Sequence, residues 1–149
     1  MIIVLDTNIL VSGLLTPFGP SGEIIRMVSG GNLVLLYDAR VLLEYEEVLN
    51  RPKFKFNKEH INTLLDFIKQ NGKLVSPLPL KTPLPDPDDE PFLEVSIAGK
   101  AKCMVTGNIA HYPAISREGI KIFSPSKFLK YYRKQCEDTE PSAALDRTP

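Results

Sequence analysis

The sequence predicts an α/β fold, a three-layer sandwich in which a five-stranded parallel sheet carries helices on both faces. Five short apolar or β-branched runs are bounded by Gly, Pro, Asn or Asp, which is typical of buried strands. Helical stretches lie between most of these runs, and right-handed helical crossovers cover both faces of a parallel sheet. The length of 149 residues is that of one ordinary domain.

The predicted elements alternate along the chain. Strands are predicted at residues 2–5, 33–36, 73–75, 103–105 and 120–122. Helices are predicted at residues 21–29, 39–49, 58–70, 88–100 and 126–133. Asp38 and Asn57 are candidate N-caps of the second and third helices, and Pro125 suits the first turn of the last. The glycines and prolines of residues 13–22 are interpreted as a turn, because no Gly-Lys-Ser/Thr phosphate loop follows them.

Two segments fall outside this alternation. Residues 76–89 are rich in proline, which predicts an extended connection that ends in an acidic cluster. Residues 135–149 contain Pro, Ser, Thr and charges without apolar periodicity, and we expect a disordered tail there. The predicted domain therefore covers residues 1–134.

The composition limits the classes of partner. The 18 basic and 18 acidic residues give a formal net charge of zero, so a polyanion would have to meet a local basic patch. No apolar run approaches the roughly 20 residues that cross a bilayer, and we expect a cytoplasmic protein without a membrane partner. Cys103 and Cys136 have no metal-like spacing and are interpreted as a buried thiol and a loose exposed one.

Acidic and amide side chains follow several predicted strands. Asp6 ends the first strand, and Asn108 lies in the turn after the fourth. Glu44 lies on the helix after the second strand, and Asp89 lies where the proline-rich connection becomes a helix. Ligands of open α/β folds bind at the carboxyl edge of the sheet, where these groups could converge. Oxygen ligands without His or Cys favour Mg²⁺ or Mn²⁺, which would activate water for in-line attack on a phosphodiester.

Several of the acidic and amide residues near these strand ends also have a purely structural interpretation. Asp88 or Asp89 could simply cap a helix. Glu44 lies at the border of the apolar stripe of its helix, whereas the other glutamates of that helix point to solvent. Asn8 could orient Asp6 or serve only as a local backbone partner.

Four motifs together resemble those of the PIN-domain family, in its branch of VapC-like toxins. They are residues 4–12, 42–49, 86–96 and 105–111, which occur in the family's order and spacing within residues 1–125. The resemblance implies a five-stranded parallel sheet and a divalent-metal endoribonuclease site. It also implies a toxin that pairs with a small antitoxin protein and commonly forms a homodimer.

The resemblance assigns roles to individual residues. Asp6, Glu44 and Asp89 match the family's acidic metal ligands, and Asp86 could support the metal through water. Asn108 stands where many PIN domains have an acid. Its neutral amide should weaken metal affinity or make metal binding depend more on Asp86 or Asp88. The hydroxyl of Thr106 could hold a site carboxylate or a water.

Basic residues beyond this cluster are candidates for RNA contact. Arg51, Lys53 and Lys55 alternate with two phenylalanines, a pattern that suits phosphate contact and base stacking. The favoured alternative is a loop whose phenylalanines anchor it to the core. His111 could act as an acid, a base or an RNA contact, and the favoured alternative is an ordinary surface histidine.

Three functions compete. A metal-dependent endoribonuclease is the first choice. A haloacid-dehalogenase-like phosphatase also opens with an apolar strand and Asp, but it needs a second Asp two residues later, where this chain has Asn8. The third is a catalytically weakened PIN-like module that binds RNA or a protein partner, and Asn108 is its main support.

Overall fold

Five parallel strands form the central sheet of the computed structural model, which describes the backbone of residues 1–146 and the side chains of residues 1–138. The strands are β1 (Ile2–Leu5), β2 (Val34–Tyr37), β3 (Lys73–Leu74), β4 (Cys103–Val105) and β5 (Ile122–Phe123). Their spatial order is β3-β2-β1-β4-β5, and every neighbouring pair is parallel. The predicted parallel α/β fold is confirmed.

Six helices connect and cover the strands. They are α1 (Thr7–Leu15), α2 (Pro20–Ser29), α3 (Ala39–Leu49), α4 (Lys58–Asn71), α5 (Glu90–Ala98) and α6 (Pro125–Asp146). Asp38 caps α3 by accepting from the Val41 amide, and Asn57 caps α4 by accepting from the Glu59 amide, both at 2.9 Å. These two caps were predicted and are confirmed. Within residues 1–146, no helix combines the length and the apolar character that a membrane span requires.

The structure corrects three of the predicted elements. Helix α1 was not predicted, and it begins directly after Asp6 in what was interpreted as a strand end and turn. The helix predicted from residue 88 is instead a short 3₁₀ turn, Pro87–Asp89, followed by α5. Helix α6 continues beyond residue 133 to Asp146. The division into a domain of residues 1–134 and a tail stays a prediction, and residues 147–149 of that tail lie outside the described part of the chain.

The central position of β1 determines where the site lies. β1 pairs with β2 on one side and β4 on the other, and its residues Ile3, Val4 and Leu5 are fully buried. Helix α5 packs on β1, β2 and β4, while α1 contacts α2 and α3. Because its apolar residues anchor β1 in the middle of the core, the residue after it emerges at a fixed point on the carboxyl edge.

The two cysteines have different surroundings. Cys103 is buried in β4, and burial raises the pKa of its thiol to about 12, as expected for an unreactive core thiol. Cys136 in α6 is half-buried, so the prediction of a loose, exposed thiol is wrong. Both are free thiols.

Candidate functional site

Asp6 is held at the carboxyl edge of the sheet between β1 and β4. Its backbone amide donates to the Val105 carbonyl at 3.0 Å, which continues the pairing of the two strands. Its buried side chain accepts two hydrogen bonds on the same oxygen, Oδ2. The donors are the Thr106 hydroxyl at 2.8 Å and the Tyr112 hydroxyl at 3.0 Å. The predicted contact of Thr106 with a site carboxylate is therefore present.

Glu44 faces the same edge from α3. Its Oε2 accepts a hydrogen bond from the hydroxyl of Thr7, the residue after Asp6. The next residue on the helix, Tyr45, is fully buried and donates to the Leu5 carbonyl, which ties α3 to the end of β1. Glu44 is half-buried, whereas Glu46 and Glu47 are exposed, as the apolar stripe of this helix predicted.

Asp89 enters the site from the end of the proline-rich connection. It occupies the N-cap position of α5 without a side-chain capping bond, so the capping interpretation of Asp89 is wrong. Asp86 instead caps the short 3₁₀ turn, because its Oδ1 accepts from the Asp88 amide at 2.9 Å. The Asp89 Oδ2 atom is buried and lies 3.2 Å from His111 Nδ1, but the two atoms do not align as a hydrogen bond. This oxygen therefore has no aligned donor among the described residues.

Burial and the charge of Asp6 both disfavour ionisation of the neighbouring carboxylates. Burial raises the pKa of Asp6, while hydrogen bonds from Thr106 and Tyr112 act in the opposite direction. Burial also raises the pKa of Glu44 and of Asp89, and the charge of Asp6 raises both further. Nearby like charges in a partly desolvated site destabilise the ionised forms, and a cation would relieve that repulsion.

The turn after β4 is built from hydrogen bonds. The Thr106 Oγ1 accepts from the Asn108 amide at 3.0 Å, and the Asn8 Oδ1 accepts from the Gly107 amide at 3.2 Å. Asn8 thus holds the turn rather than the Asp6 carboxylate itself. Asn108 is exposed and precedes the short 3₁₀ turn that carries His111.

Of the predicted RNA-contacting residues, His111 lies in the turn after β4, whereas the three basic residues lie beyond the C-terminal end of α3. All four are exposed. Arg51 shares a cleft of about 340 Å³ with Glu44 and Asp88. The Lys53 ammonium lies 5.0 Å from the ring centroid of Phe54. The Phe54 and Phe56 rings stack with centroids 5.4 Å apart, and Phe56 packs on the core, as the anchoring interpretation requires. Lys55 adopts left-handed backbone geometry with φ of 53°.

Sequence reasoning missed several residues that support the site. Tyr112 was not among the predicted site residues, although a tyrosine seven residues after the end of β4 could reach back to the sheet edge. Arg40 bridges Asp38 and the buried Glu94, at 2.8 Å to each carboxylate. Glu94 also accepts from the Leu80 amide at 3.0 Å, which fastens the proline-rich connection to α5. The available signal was Glu94, a charged residue between the apolar residues Leu93 and Val95 in the interior of α5.

The donor set suits a hard cation that keeps some of its water. Among the described side chains, no group of three or more His, Cys, Asp and Glu residues is arranged so that it could hold a metal ion. The buried Asp89 Oδ2 nevertheless lacks an aligned donor, and oxygen atoms of Asp6 and Glu44 face the same region. Mg²⁺ typically binds through one or two carboxylates, several waters and substrate phosphate. The residues present fit such a partly hydrated ion.

Comparisons with known proteins bear on the family and the fold of the chain. Residues 2–110 match the family model described as PIN domain. Among solved structures, the chain is similar to one described as VapBC2 from Rickettsia felis bound to a DNA fragment from their promoter. The TM-score is 0.56 at 18% identity, covering 83% of this chain and 98% of the other, which shows a shared fold. No curated protein matches.

Proposed function

Because the chain belongs to the PIN-domain family, we propose that it is a divalent-metal-dependent endoribonuclease and the toxin component of a type II toxin–antitoxin system. One observation carries the proposal. Asp6 and Glu44 are held at the carboxyl edge by hydrogen bonds, Asp89 lies at the start of α5, and the charge of Asp6 raises the pKa of both Glu44 and Asp89. PIN domains are generally metal-using nucleases, and this cluster supplies the oxygen ligands that such chemistry needs.

In this proposal Mg²⁺ or Mn²⁺ is held by Asp6, Glu44 and Asp89, with Asp86 and Asn108 as further candidates. The bound cation would supply Lewis acidity for water activation and for the charge that develops on the phosphoryl oxygens. The chain's own residues orient the ligands. Thr106 and Tyr112 hold Asp6, and Thr7 holds Glu44. His111 stays a candidate for proton transfer or RNA contact beside Asp89.

Cleavage of total RNA titrated with Mg²⁺ and Mn²⁺ tests the proposal directly. We expect cleavage products that increase with metal and disappear with excess EDTA. Cleavage that ignores EDTA would contradict the metal-dependent mechanism. The absence of cleavage across the titration would favour the alternative function, a PIN-like module that binds RNA or a protein partner without cutting. The observation that favours this alternative is the neutral side chain of Asn108.

We predict that Asn108→Asp strengthens metal binding. The substitution adds a carboxylate where many PIN domains have an acid, on the turn anchored by Thr106. Each added anionic ligand increases electrostatic attraction for a divalent ion, and we expect about a tenfold lower dissociation constant for Mn²⁺. Calorimetric titration of the metal-free protein measures the change. An unchanged affinity would place residue 108 outside the metal site.

The loop after α3 that carries Arg51, Lys53 and Lys55, called here the basic loop, supplies a second prediction. The double variant Arg51→Gln with Lys53→Gln should bind single-stranded RNA more weakly. The loss of affinity should be similar for RNAs of unrelated sequence, because phosphate contacts carry no base information. The slope of log affinity against log salt should fall by about 0.7 for each lost contact. Lys127→Gln with Lys130→Gln, on exposed positions of α6, provides the matched control. An unchanged salt slope in the loop variant would exclude phosphate contact there.

We further propose a small antitoxin as the protein partner, a homodimeric state and a cytoplasmic location. The antitoxin is supported by the family and by the similar structure from Rickettsia felis, which is that of VapBC2 bound to a DNA fragment from their promoter. The homodimer rests on the family resemblance, and the cytoplasmic location rests on the sequence.

A further inference from the structure

One oxygen of Asp6 is fully engaged by the protein, and its second donor lies outside the four sequence motifs. Oδ2 accepts from Thr106 and from Tyr112, at 2.8 and 3.0 Å. A carboxylate oxygen has about two lone-pair sites, so both acceptor sites of Oδ2 are taken. Oδ1 has neither of these partners. The backbone amides of Thr7 and Asn8 also lie close enough to stabilise the ionised carboxylate.

We propose that Tyr112 is a positioning residue that occupies Oδ2 of Asp6, so that the carboxylate binds a divalent cation through Oδ1 alone. The inference rests on the proposed function, because it concerns how the proposed metal ligand is presented. It goes beyond that function by assigning metal selectivity to a residue that makes no contact with the ion.

Tyr112 is itself rigidly held. Its ring is fully buried, and its backbone amide donates to the Ile109 carbonyl at 3.0 Å. Its carbonyl accepts from the Arg117 Nε at 2.7 Å. A hydroxyl fixed in this way cannot follow Asp6 if the carboxylate rotates. Two-oxygen binding by Asp6 would therefore break the bonds from both Tyr112 and Thr106 in a partly desolvated site, which is costly.

This arrangement favours one class of cation over another. Mg²⁺ and Mn²⁺ suit octahedral coordination in which a carboxylate supplies a single oxygen. Ca²⁺ takes more ligands and readily binds both oxygens of one carboxylate. By keeping Oδ2 occupied, Tyr112 raises the preference of the site for the smaller ions.

The test measures metal binding to metal-free protein, without RNA. Tyr112→Phe removes only the hydroxyl, and Tyr37→Phe is the matched control, since the Tyr37 hydroxyl also donates a hydrogen bond, in its case to the Lys69 carbonyl at 2.9 Å. Free Mn²⁺ is followed by electron paramagnetic resonance, with Ca²⁺ as competitor. We expect Tyr112→Phe to weaken Mn²⁺ binding about tenfold, as loss of a ligand-orienting bond commonly does. Ca²⁺ binding should weaken much less.

The ratio of the two dissociation constants keeps the test sharp. Both are measured on one sample, so a partly unfolded variant changes the number of sites but not the ratio. An unchanged ratio in Tyr112→Phe, or an equal change in Tyr37→Phe, would overturn the inference. Failure of the wild-type protein to bind Mn²⁺ would instead contradict the proposed function. Mn²⁺ binding by the wild type with an unaltered Tyr112→Phe variant would reject the positioning role alone.

Discussion

Asp6→Asn is expected to reduce metal-dependent RNA cleavage by at least about 10²-fold, because it removes the anionic ligand at the centre of the proposed site. The amide is nearly the same size as the carboxylate, and its carbonyl oxygen can still accept from Thr106 and Tyr112. The hydrogen-bonded framework of the edge is therefore preserved while its charge is lost. Initial rates on one RNA substrate at saturating metal give the comparison.

The same substitution should not destabilise the metal-free protein. Burial raises the pKa of Asp6 in the folded state, so the folded protein binds this proton more tightly than the unfolded chain does. Stability of the metal-free protein therefore falls as pH rises from the unfolded pKa through the raised folded pKa, and the penalty is complete above it. Asn carries no charge and avoids that penalty. We expect an equal or higher melting temperature for the variant at neutral pH, measured in EDTA.

Asp66→Asn provides the matched control for this prediction. Asp66 is exposed on α4, so its replacement makes the same chemical change away from the carboxyl edge. Cleavage by this variant should equal that of the wild-type protein. If Asp6→Asn retains activity within a factor of two or three, Asp6 is not a metal ligand. A melting temperature well below wild type would show that its loss of activity reflects unfolding.

Local signals made most of the fold predictable. The caps Asp38 and Asn57 act on amides two or three residues away, so the sequence alone contains both partners of each bond. Buried strands such as β1 and β4 are continuous apolar runs, and both were predicted with the bounds observed. The position of Glu44 at the edge of the apolar stripe of α3 was also predictable, because the face of a helix on which a residue lies follows from its spacing to neighbouring residues.

The support of the site was less predictable because it depends on contacts distant in sequence. Tyr112 bonds a residue 106 positions earlier, and Arg40 reaches Glu94 across 54 positions. Neither partner can be chosen from the sequence until the strand order is known. The motif spacing could bring Asp6 and Thr106 together, but it could not identify Tyr112 as the second donor.

Helix α1 was missed for a different physical reason. Its sequence is apolar nearly all round, so it has no amphipathic period, and Gly13 in its interior is a poor helix former. The structure explains that glycine by packing. A Cβ on Gly13 would lie 2.8 Å from the Ser21 carbonyl oxygen and 2.4 Å from Ile25 Cδ1. The close packing of α1 against α2 therefore leaves room only for glycine at position 13, although glycine has a low intrinsic helix propensity.

Gly22→Ala is expected to cause a large loss of stability, about 3 kcal/mol in the free energy of unfolding. A Cβ on Gly22 would lie 2.0 Å from the Pro17 carbonyl oxygen and 2.5 Å from its carbonyl carbon, so backbone must move. Alanine improves intrinsic helix propensity by about 1 kcal/mol, and the clash outweighs that gain. Equilibrium denaturation in urea, with the metal-free protein, measures the difference.

Gly19→Ala separates this clash from a general effect of the added methyl group. Its Cβ would meet only the Thr16 Cγ2 at 3.3 Å and the Thr16 carbonyl oxygen at 3.4 Å, and a small shift relieves both contacts. The control should therefore change the free energy of unfolding by less than about 1 kcal/mol. Equal losses in the two variants would contradict the packing explanation. A large loss confined to Gly22→Ala would mean that the close approach of α2 to Pro17, in the connection that follows α1, requires glycine at this point.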